Sequence, residues 1–223
     1  MTGDFLPAAA EMVGGSRYPF PFEYEFGTSA PMAEFKITEL PISGLLLIEP
    51  QIFGDERGYF KESFRVEVFE KAGIPAFVQE NESLSRKGVL RGLHFQVPPH
   101  AQGKLVRCAL GSVFDVAVDI RKGSPTYGQW YGLELTEKNH LMMYIPPGFA
   151  HGFCTLSEQA LFCYKQTNYY APNAEGAVLW NDPQIGIEWP MTNPLVSDKD
   201  KIAQPLAELD SAFVFSANEG EMK

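Results

Sequence analysis

The sequence is poor in three features that mark large classes of protein. It has three cysteines, four histidines and no apolar run near the ~18 residues that a membrane helix requires. Cys108, Cys154 and Cys163 are odd in number and lack CxxC spacing, which argues against a disulfide framework and favours free thiols in a reducing compartment. The N-terminus also lacks the basic start and apolar core of a signal peptide. We therefore expect a cytoplasmic protein with no membrane span.

Basic residues are scarce as well. Lysine and arginine total 18 against 28 aspartates and glutamates, giving a net charge of −10. This balance opposes nonspecific binding to nucleic acid, so we expect no nucleic-acid partner. A small anionic ligand remains compatible with it, provided that the few cations gather in one pocket.

The chain divides by composition. Residues 1–35 are dense in proline, glycine and aromatics and predict an N-terminal extension, whereas residues 36–223 predict one domain with a helical segment near its C-terminus. In SVFDVAVDI, Phe114, Val116, Val118 and Ile120 alternate with polar or small residues, which is typical of a strand. Further strand candidates are GLLLIEP, KLVRCAL, WYGLELT, HLMMYIP, GFCTL and ALFCYKQTNYY. Many short strands separated by turns such as KGSP, PPG and APN predict a sandwich, jelly roll or barrel.

Two short helices are expected beside these strands. SFRVEVFEKAG offers Ser63 as an N-cap and Gly73 as a stop. DKDKIAQPLAEL is the second candidate, weakened by Pro205, and Ser197 precedes it as a potential cap.

The segment KGVLRGLHFQVPPHAQGKLVR carries most of the polar signal. It places Arg91, His94, Lys104 and Arg107 among apolar strand residues, where charged side chains are rarely buried without a partner. The alternatives are a pocket for an anion or a solvated face with a core histidine. Strict alternation separates Arg91 from His94, so either Gly92 hosts a bulge or the two side chains serve different parts of a site.

A metal site is not assembled by any clear spacing. Pro146, Gly148 and His151 follow the PxGxxH pattern of cupin barrels, in which that histidine can bind a metal ion. The second cupin element would need an HxH pair, but His94 and His100 have five residues between them. We expect no metal and no cofactor.

Other polar groups are ambiguous when each is considered alone. Tyr164 points away from Cys163 and Lys165 by alternation and has the features of a packing tyrosine, while Tyr170 suits either a surface or a stacking platform. The remaining candidates lie in polar segments that suit loops or a helix start: Arg57 and Glu62, Gln79 and Asn81, and Asp198, Lys199 and Asp200.

Together these segments closely resemble the dTDP-4-dehydrorhamnose 3,5-epimerase family. The matching strings are FGDERGYFKESF, FVQEN, GVLRGLHFQ, QGKLVR, VFDVAVDIRKGSPTYGQW, IPPGFAHGF, YKQTNYYAP, EGAVLWND and IGIEWP, across about residues 37 to 203. The resemblance implies an all-β, cupin-type jelly-roll barrel with a few short helices, a homodimer, and no metal. It implies epimerisation at C3 and C5 of dTDP-4-dehydro-6-deoxy-D-glucose to dTDP-4-dehydro-L-rhamnose.

The resemblance also implies a role for each matched residue. His94 is expected to be the catalytic base, Asp200 the carboxylate that orients it, Tyr164 the general acid on the opposite sugar face, and Lys104 the cation beside the enolate oxygen. The substrate-binding positions are Arg57, Glu62, Gln79, Glu80, Asn81, Arg91, His151, Tyr170, Glu175 and Lys199, with Tyr170 stacking on the thymine.

Several readings stay open at this point. Relatives commonly have aspartate where Glu80 stands, and the loop before SDKD is about one residue shorter here, so Asp198 competes with Asp200. The same machinery would serve an enzyme that inverts only C3 or only C5. A metal-dependent cupin and a noncatalytic sugar-nucleotide module are the rivals outside the family.

Overall fold

The computed structural model describes residues 33–216, and almost all of the regular structure within them is β-strand. The strands are β1 (Phe35–Glu39), β2 (Leu46–Pro50), β3 (Ile52–Asp55), β4 (Gly58–Lys61), β5 (Gln79–Arg86), β6 (Leu90–Gln96), β7 (Lys104–Leu110), β8 (Ser112–Asp119), β9 (Trp130–Thr136), β10 (Met142–Ile145), β11 (Phe149–Thr155), β12 (Gln159–Gln166) and β13 (Glu175–Ala177). The helices are α1 (Val66–Lys71) and α2 (Asp198–Lys201), with single 3₁₀ turns at Pro172–Ala174 and Leu206–Glu208. The predicted extension, residues 1–35, lies outside the described residues except for its last three, and Phe35 begins β1.

Two antiparallel sheets face each other, as expected for a jelly roll. The six-stranded sheet has the order β1-β2-β10-β7-β12-β5, and the five-stranded sheet has the order β13-β6-β11-β8-β9. Side chains from both sheets, including Val106, Ala117, Phe153 and Phe162, form the core between them. The strands β3 and β4 pair only with each other, as a separate hairpin.

Strand β8 shows why the alternation is informative but incomplete. Val116 and Val118 share one face of the strand, as predicted, and pack into a second apolar cluster. Val113 and Ala117 lie on the opposite face and point into the core between the sheets. The polar residue Asp115 on this second face is buried too, and its carboxylate pairs with His151. Both faces of the strand are therefore covered.

The helix predictions need correction. Helix α1 begins at Val66 and its N-cap is Arg65, so the prediction that Ser63 caps it is wrong. The Arg65 side chain bonds to Glu62 and to the Ala33 carbonyl oxygen, and Arg65 itself has extended backbone geometry immediately before the first helical residue.

The C-terminal helix is also shorter than predicted. Helix α2 ends at Lys201 because Gln204 pairs with Val178, which draws the chain into an extended path, and Pro205 then caps a separate 3₁₀ turn. The cap on α2 is the expected one, since the Ser197 hydroxyl oxygen accepts from the Asp200 N–H.

The thiols of Cys108, Cys154 and Cys163 are all free and buried, as predicted. Within residues 33–216 there is no helix with the length and apolar character needed to cross a bilayer.

Candidate active site

A cleft of about 530 Å³ opens between strands of both sheets and helix α2. Its polar lining consists of Arg91, His94, Lys104, His151, Tyr164, Ser197, Lys199 and Asp200. A second cavity of about 260 Å³ shares His94, Lys104 and Tyr164 with it and extends to Asn81, Tyr170 and Glu175. Residues from at least six separate segments of the sequence therefore line one depression, formed by the two adjoining cavities.

A bulge in β6 brings Arg91 and His94 to the same cleft. His94 pairs with His151 on β11 and Arg91 pairs with Phe153, so three steps along β6 match only two along β11. The extra residue shifts the alternation by one, as the sequence suggested for Gly92. Gly92 has φ +132°, and a Cβ there would lie 2.5 Å from the Gly152 Cα atom, so only glycine is accommodated.

His94 and Asp200 form a short polar contact in the cleft. The Nε2 atom of His94 lies 2.6 Å from Oδ1 of Asp200, and Oδ2 of Asp200 accepts from the Gly92 N–H. Burial acts to raise the pKa of Asp200, but the hydrogen bond and charge of His94, with the Gly92 and Ser197 contacts, outweigh it and lower that pKa. The carboxylate is therefore ionised, and in the neutral form of the His94 ring it accepts a proton carried on Nε2. Nδ1 is left as the free acceptor.

Asp198, the alternative to Asp200, is not near the histidine. Its side chain is 99% exposed and pairs with Lys201. The helix α2 turns Asp200 inward and Asp198 outward.

A second buried histidine and carboxylate lie beside the first pair. Nε2 of His151 is 2.8 Å from Oδ1 of Asp115, whose Oδ2 is buried without a hydrogen bond to any residue in the range 33–216. Burial lowers the pKa of His151, although the Asp115 contact opposes the change. Sequence reasoning missed Asp115, and the only available signal was a carboxylate within an otherwise apolar strand.

Lys104 supplies a cation at the floor of the cleft. Its Nζ donates to the backbone oxygen of His94 at 3.3 Å. Burial lowers the pKa of Lys104 to about 8, while the charges of Asp115 and Glu175 act in the opposite direction. The ammonium group is therefore weakly solvated and close to losing its proton at mildly alkaline pH.

Tyr164 lies on β12 and faces the cleft, on the side expected from alternation. It packs against Phe162, while Cys163 and Lys165 point to the other face of the sheet. Its hydroxyl makes no hydrogen bond to the described part of the chain, so it is available to a ligand.

A chain of side chains extends the cleft towards the second cavity. The Tyr170 hydroxyl donates to Oε2 of Glu175 at 2.9 Å, and Lys199 pairs with the same oxygen at 2.6 Å. The Tyr170 N–H donates to Gln79, whose amide donates to Asn81. Tyr170 thus presents a half-exposed ring that is held at its backbone and its hydroxyl.

Four predicted substrate-binding residues line neither cavity. One of them, Gln79, is linked to the site through its hydrogen bonds with Tyr170 and Asn81. Arg57 is at the tip of the β3–β4 hairpin, is 84% exposed and pairs with Asp55. Glu62 bonds to Arg65. Glu80 is on the outer face of β5, paired with Lys165, because it alternates with Gln79 and Asn81.

Within residues 33–216, no group of three or more histidine, cysteine or acidic side chains is placed to hold a metal ion.

The chain is similar to known proteins over most of its described residues. A family model described as dTDP-4-dehydrorhamnose 3,5-epimerase matches residues 39–208. The chain belongs to this epimerase family. A family member from Shigella flexneri is 56% identical over 175 residues, which are 78% of this chain and 96% of that protein.

A solved structure of the same family is similar over its whole length. It is the 3,5-epimerase of Legionella pneumophila Philadelphia 1 in complex with dTDP-4-keto-L-rhamnose, with a TM-score of 0.79 and 48% identity over 82% of this chain and 100% of that one. A Streptomyces niveus relative named as a dTDP-4-dehydrorhamnose 3-epimerase is 41% identical over 79% of this chain and 86% of its own length. The 3,5-epimerases therefore have relatives that act at a single position.

Replacing Gly92 tests the bulge that assembles this epimerase site. In Gly92→Ala, the new Cβ would meet backbone atoms of Gly152 and His151, which cannot move aside as a side-chain tip would. We expect urea denaturation to show a loss of about 3 kcal/mol or more, from backbone strain and overpacking together.

Gly88→Ala is the matched control. Gly88 also has positive φ (+82°), but nothing lies within 4 Å of its Cβ position, so only the conformational penalty of about 1 kcal/mol applies. Equal stability of the two variants would contradict the tight approach of β6 to β11.

Proposed function

We propose that this chain epimerises the C3 and C5 centres of dTDP-4-dehydro-6-deoxy-D-glucose, giving dTDP-4-dehydro-L-rhamnose. The observation that carries the proposal is the meeting of His94, Asp200, Lys104 and Tyr164 in one cleft of a chain that belongs to this family. These groups supply a base, an orienting carboxylate, a cation and a hydroxyl acid. A ketone at C4 makes the protons on C3 and C5 acidic, so those four groups suffice for the chemistry.

His94 is proposed to take each proton through Nδ1. Its Nε2–H donates to the Asp200 carboxylate, so the tautomer and the ring orientation are fixed before the substrate binds. The imidazolium formed by proton transfer is stabilised by the adjacent ionised carboxylate, as in a catalytic triad. The electron pair left on carbon moves onto the C4 oxygen as an enolate.

Lys104 is proposed to stabilise that oxygen. A buried ammonium is worth more to a developing oxyanion than a solvated one, because little water screens its charge. Losing such a group typically costs about 10²–10³ in rate.

Tyr164 is proposed to return a proton on the opposite face. Inversion requires that the new C–H bond forms on the side away from the base, and Tyr164 reaches the cleft from β12, in the sheet opposite β6. His94 then holds an extra proton and Tyr164 lacks one, and exchange with solvent resets both before the second centre reacts.

The nucleotide is proposed to occupy the end of the depression that carries Tyr170. The aromatic ring suits stacking on thymine. Arg91, whose Nε donates to Ser85 at 3.2 Å, offers a planar fork for diphosphate oxygens. The other proposed contributors are His151, Gln79, Asn81 and Glu175 from strands, and Lys199 from helix α2.

A homodimer is proposed to account for the residues held away from the cleft. The β3–β4 hairpin exposes Ile52, Phe53, Tyr59 and Phe60 together, an apolar surface that a second copy would cover. Arg57 lies at the tip of that hairpin, so association would place it, with Glu62, against a partner. Glu80 is proposed to act indirectly, by fixing β5 through Lys165.

The proposal also includes a division of the chain into two parts and a cytoplasmic location. Residues 36–223 are proposed to be the epimerase domain and residues 1–35 an appendage outside the matched family region. Three free, buried thiols suit a reducing cytoplasm.

Proton NMR of the reaction in D₂O tests the proposed function. We expect deuterium at both C3 and C5 and L-rhamno stereochemistry in the product. Because carbon must lose its proton to His94 before it can take up deuterium from Tyr164, His94→Asn is expected to abolish incorporation while retaining affinity for dTDP. Incorporation at one carbon alone would replace the proposal with a single-position epimerase, and wild-type binding without exchange would indicate a noncatalytic module.

The alkaline limb of the pH profile tests the role of Lys104. Its pKa is lowered to about 8, so the ammonium is charged below that pH and lost above it. We expect kcat/KM to fall about tenfold per pH unit well above pH 8. In Lys104→Arg the guanidinium stays charged, so the limb should move up by more than one pH unit even if the rate is lower. An unchanged limb in this variant would assign the ionisation to another group.

A further inference from the structure

Gln96 is a buried polar side chain that the proposed chemistry does not use. It is 4% exposed and ends strand β6, two residues after His94 and on the same face. Its backbone register partner is Glu175 on β13. It is therefore a neighbour of the base along β6 and of Glu175, which holds the Tyr170 hydroxyl, across the sheet.

The Gln96 amide makes three hydrogen bonds to two loops. Nε2 donates to the backbone oxygens of His100 at 2.7 Å and Tyr169 at 3.2 Å, and Oε1 accepts from the Ala171 N–H at 2.8 Å. Both N–H donors of the amide are thus engaged. Two of the three bonds go to the residues immediately before and after Tyr170.

This network fixes the orientation of the amide. Exchanging its oxygen and nitrogen would point Oε1 at two carbonyl oxygens and leave the Ala171 N–H facing a donor. A carboxylate in its place could still accept from the Ala171 N–H, but it would set an oxygen against two carbonyl oxygens, since it has no N–H to give. Glutamine is therefore matched to this position, where glutamate is not.

The ring that depends on these contacts is exposed. Tyr170 has 54% of its surface open to solvent and lies in a loop, so apolar packing does little to fix it. Its placement comes from Gln96 on either side, Gln79 at its own N–H and Glu175 at its hydroxyl. A stacking platform contributes more when it is held in its bound position beforehand.

We propose that Gln96 is a positioning residue for nucleotide recognition: it ties residues 169–171 to the strand that carries His94 and so holds Tyr170 ready to stack on the base. The choice of a nucleotide as the ligand rests on the proposed function. The hydrogen bonds from Gln96 to residues 169 and 171 do not depend on it. Gln96 would then set affinity for the nucleotide and leave the proton transfers unaffected.

The test combines Gln96→Met and Gln96→Glu with Tyr170→Ala. Titration with dTDP should show about tenfold weaker binding for each Gln96 variant, given the strength of base–aromatic stacking. KM for the sugar nucleotide should rise similarly, while kcat at saturation should change by less than about twofold. In the Tyr170→Ala background, adding Gln96→Met should weaken dTDP binding no further. A loss that persists there, or binding equal to the wild type in the single variants, would overturn the proposal.

Amide hydrogen exchange gives a readout that needs no ligand. The Ala171 N–H should exchange faster in Gln96→Met than in the wild type, because its acceptor is gone. Ser211→Ala is the control for general destabilisation: Ser211 is equally buried and donates to the Ile120 backbone oxygen, outside the cleft lining. It should lose stability without changing dTDP affinity or exchange at Ala171. Should the wild type fail to bind dTDP, the proposed function falls, and Ala171 exchange alone decides the positioning role, with unchanged exchange overturning it.

Discussion

The hydrogen bond between His94 and Asp200 is the contact on which the site depends. The two residues are 106 positions apart in the chain, and each arrives by a separate device. A bulge at Gly92 turns His94 into the cleft, and a short helix capped by Ser197 turns Asp200 towards it. Asp200 also accepts from the Gly92 N–H, so the carboxylate orients the base and secures the bulge that presents it.

The electrostatics of the cleft reconcile an acidic protein with an anionic ligand. The net charge is −10, yet Arg91, Lys104 and Lys199 all line one depression. Carboxylates accompany them in fixed roles: Asp200 holds a histidine, and Glu175 pairs with Lys199. Burial lowers the pKa of Lys104 because it disfavours the charged ammonium form. A negative charge that develops beside the ammonium group would stabilise that charged form.

The sequence was sufficient for much of the fold. Strands β7 and β9 have the predicted bounds and the Ser197 cap is confirmed, because these features depend on local periodicity and capping. The free thiols are confirmed as well. The helix starts and stops were less predictable. Arg65 supplants Ser63 as the N-cap of α1, and Gln204 leaves helix geometry to pair with Val178; both outcomes rest on long-range contacts.

The site was predictable only in part, for the same reason. Matching motifs named His94, Tyr164, Lys104 and Asp200, and the structure brings these four together, although their roles stay predictions. The local signals at Asp115 and Gln96 were too weak to identify them, since a carboxylate in an apolar strand and an amide at a strand end are common. Their importance appears only when β11 and the 169–171 loop are placed against them.

Nitrogen-15 NMR of histidine-labelled protein tests whether Nδ1 of His94 is free to act as the base. The chain has four histidines, so the His94 signals are assigned by their loss in His94→Asn. In the neutral form of the ring, the account predicts a proton on Nε2, directed at Asp200, and a bare Nδ1 facing the sugar site. Asp200→Ala should release the ring to populate both tautomers. A wild-type His94 that carries its proton on Nδ1 would contradict the account, because the atom assigned as the base would already be occupied.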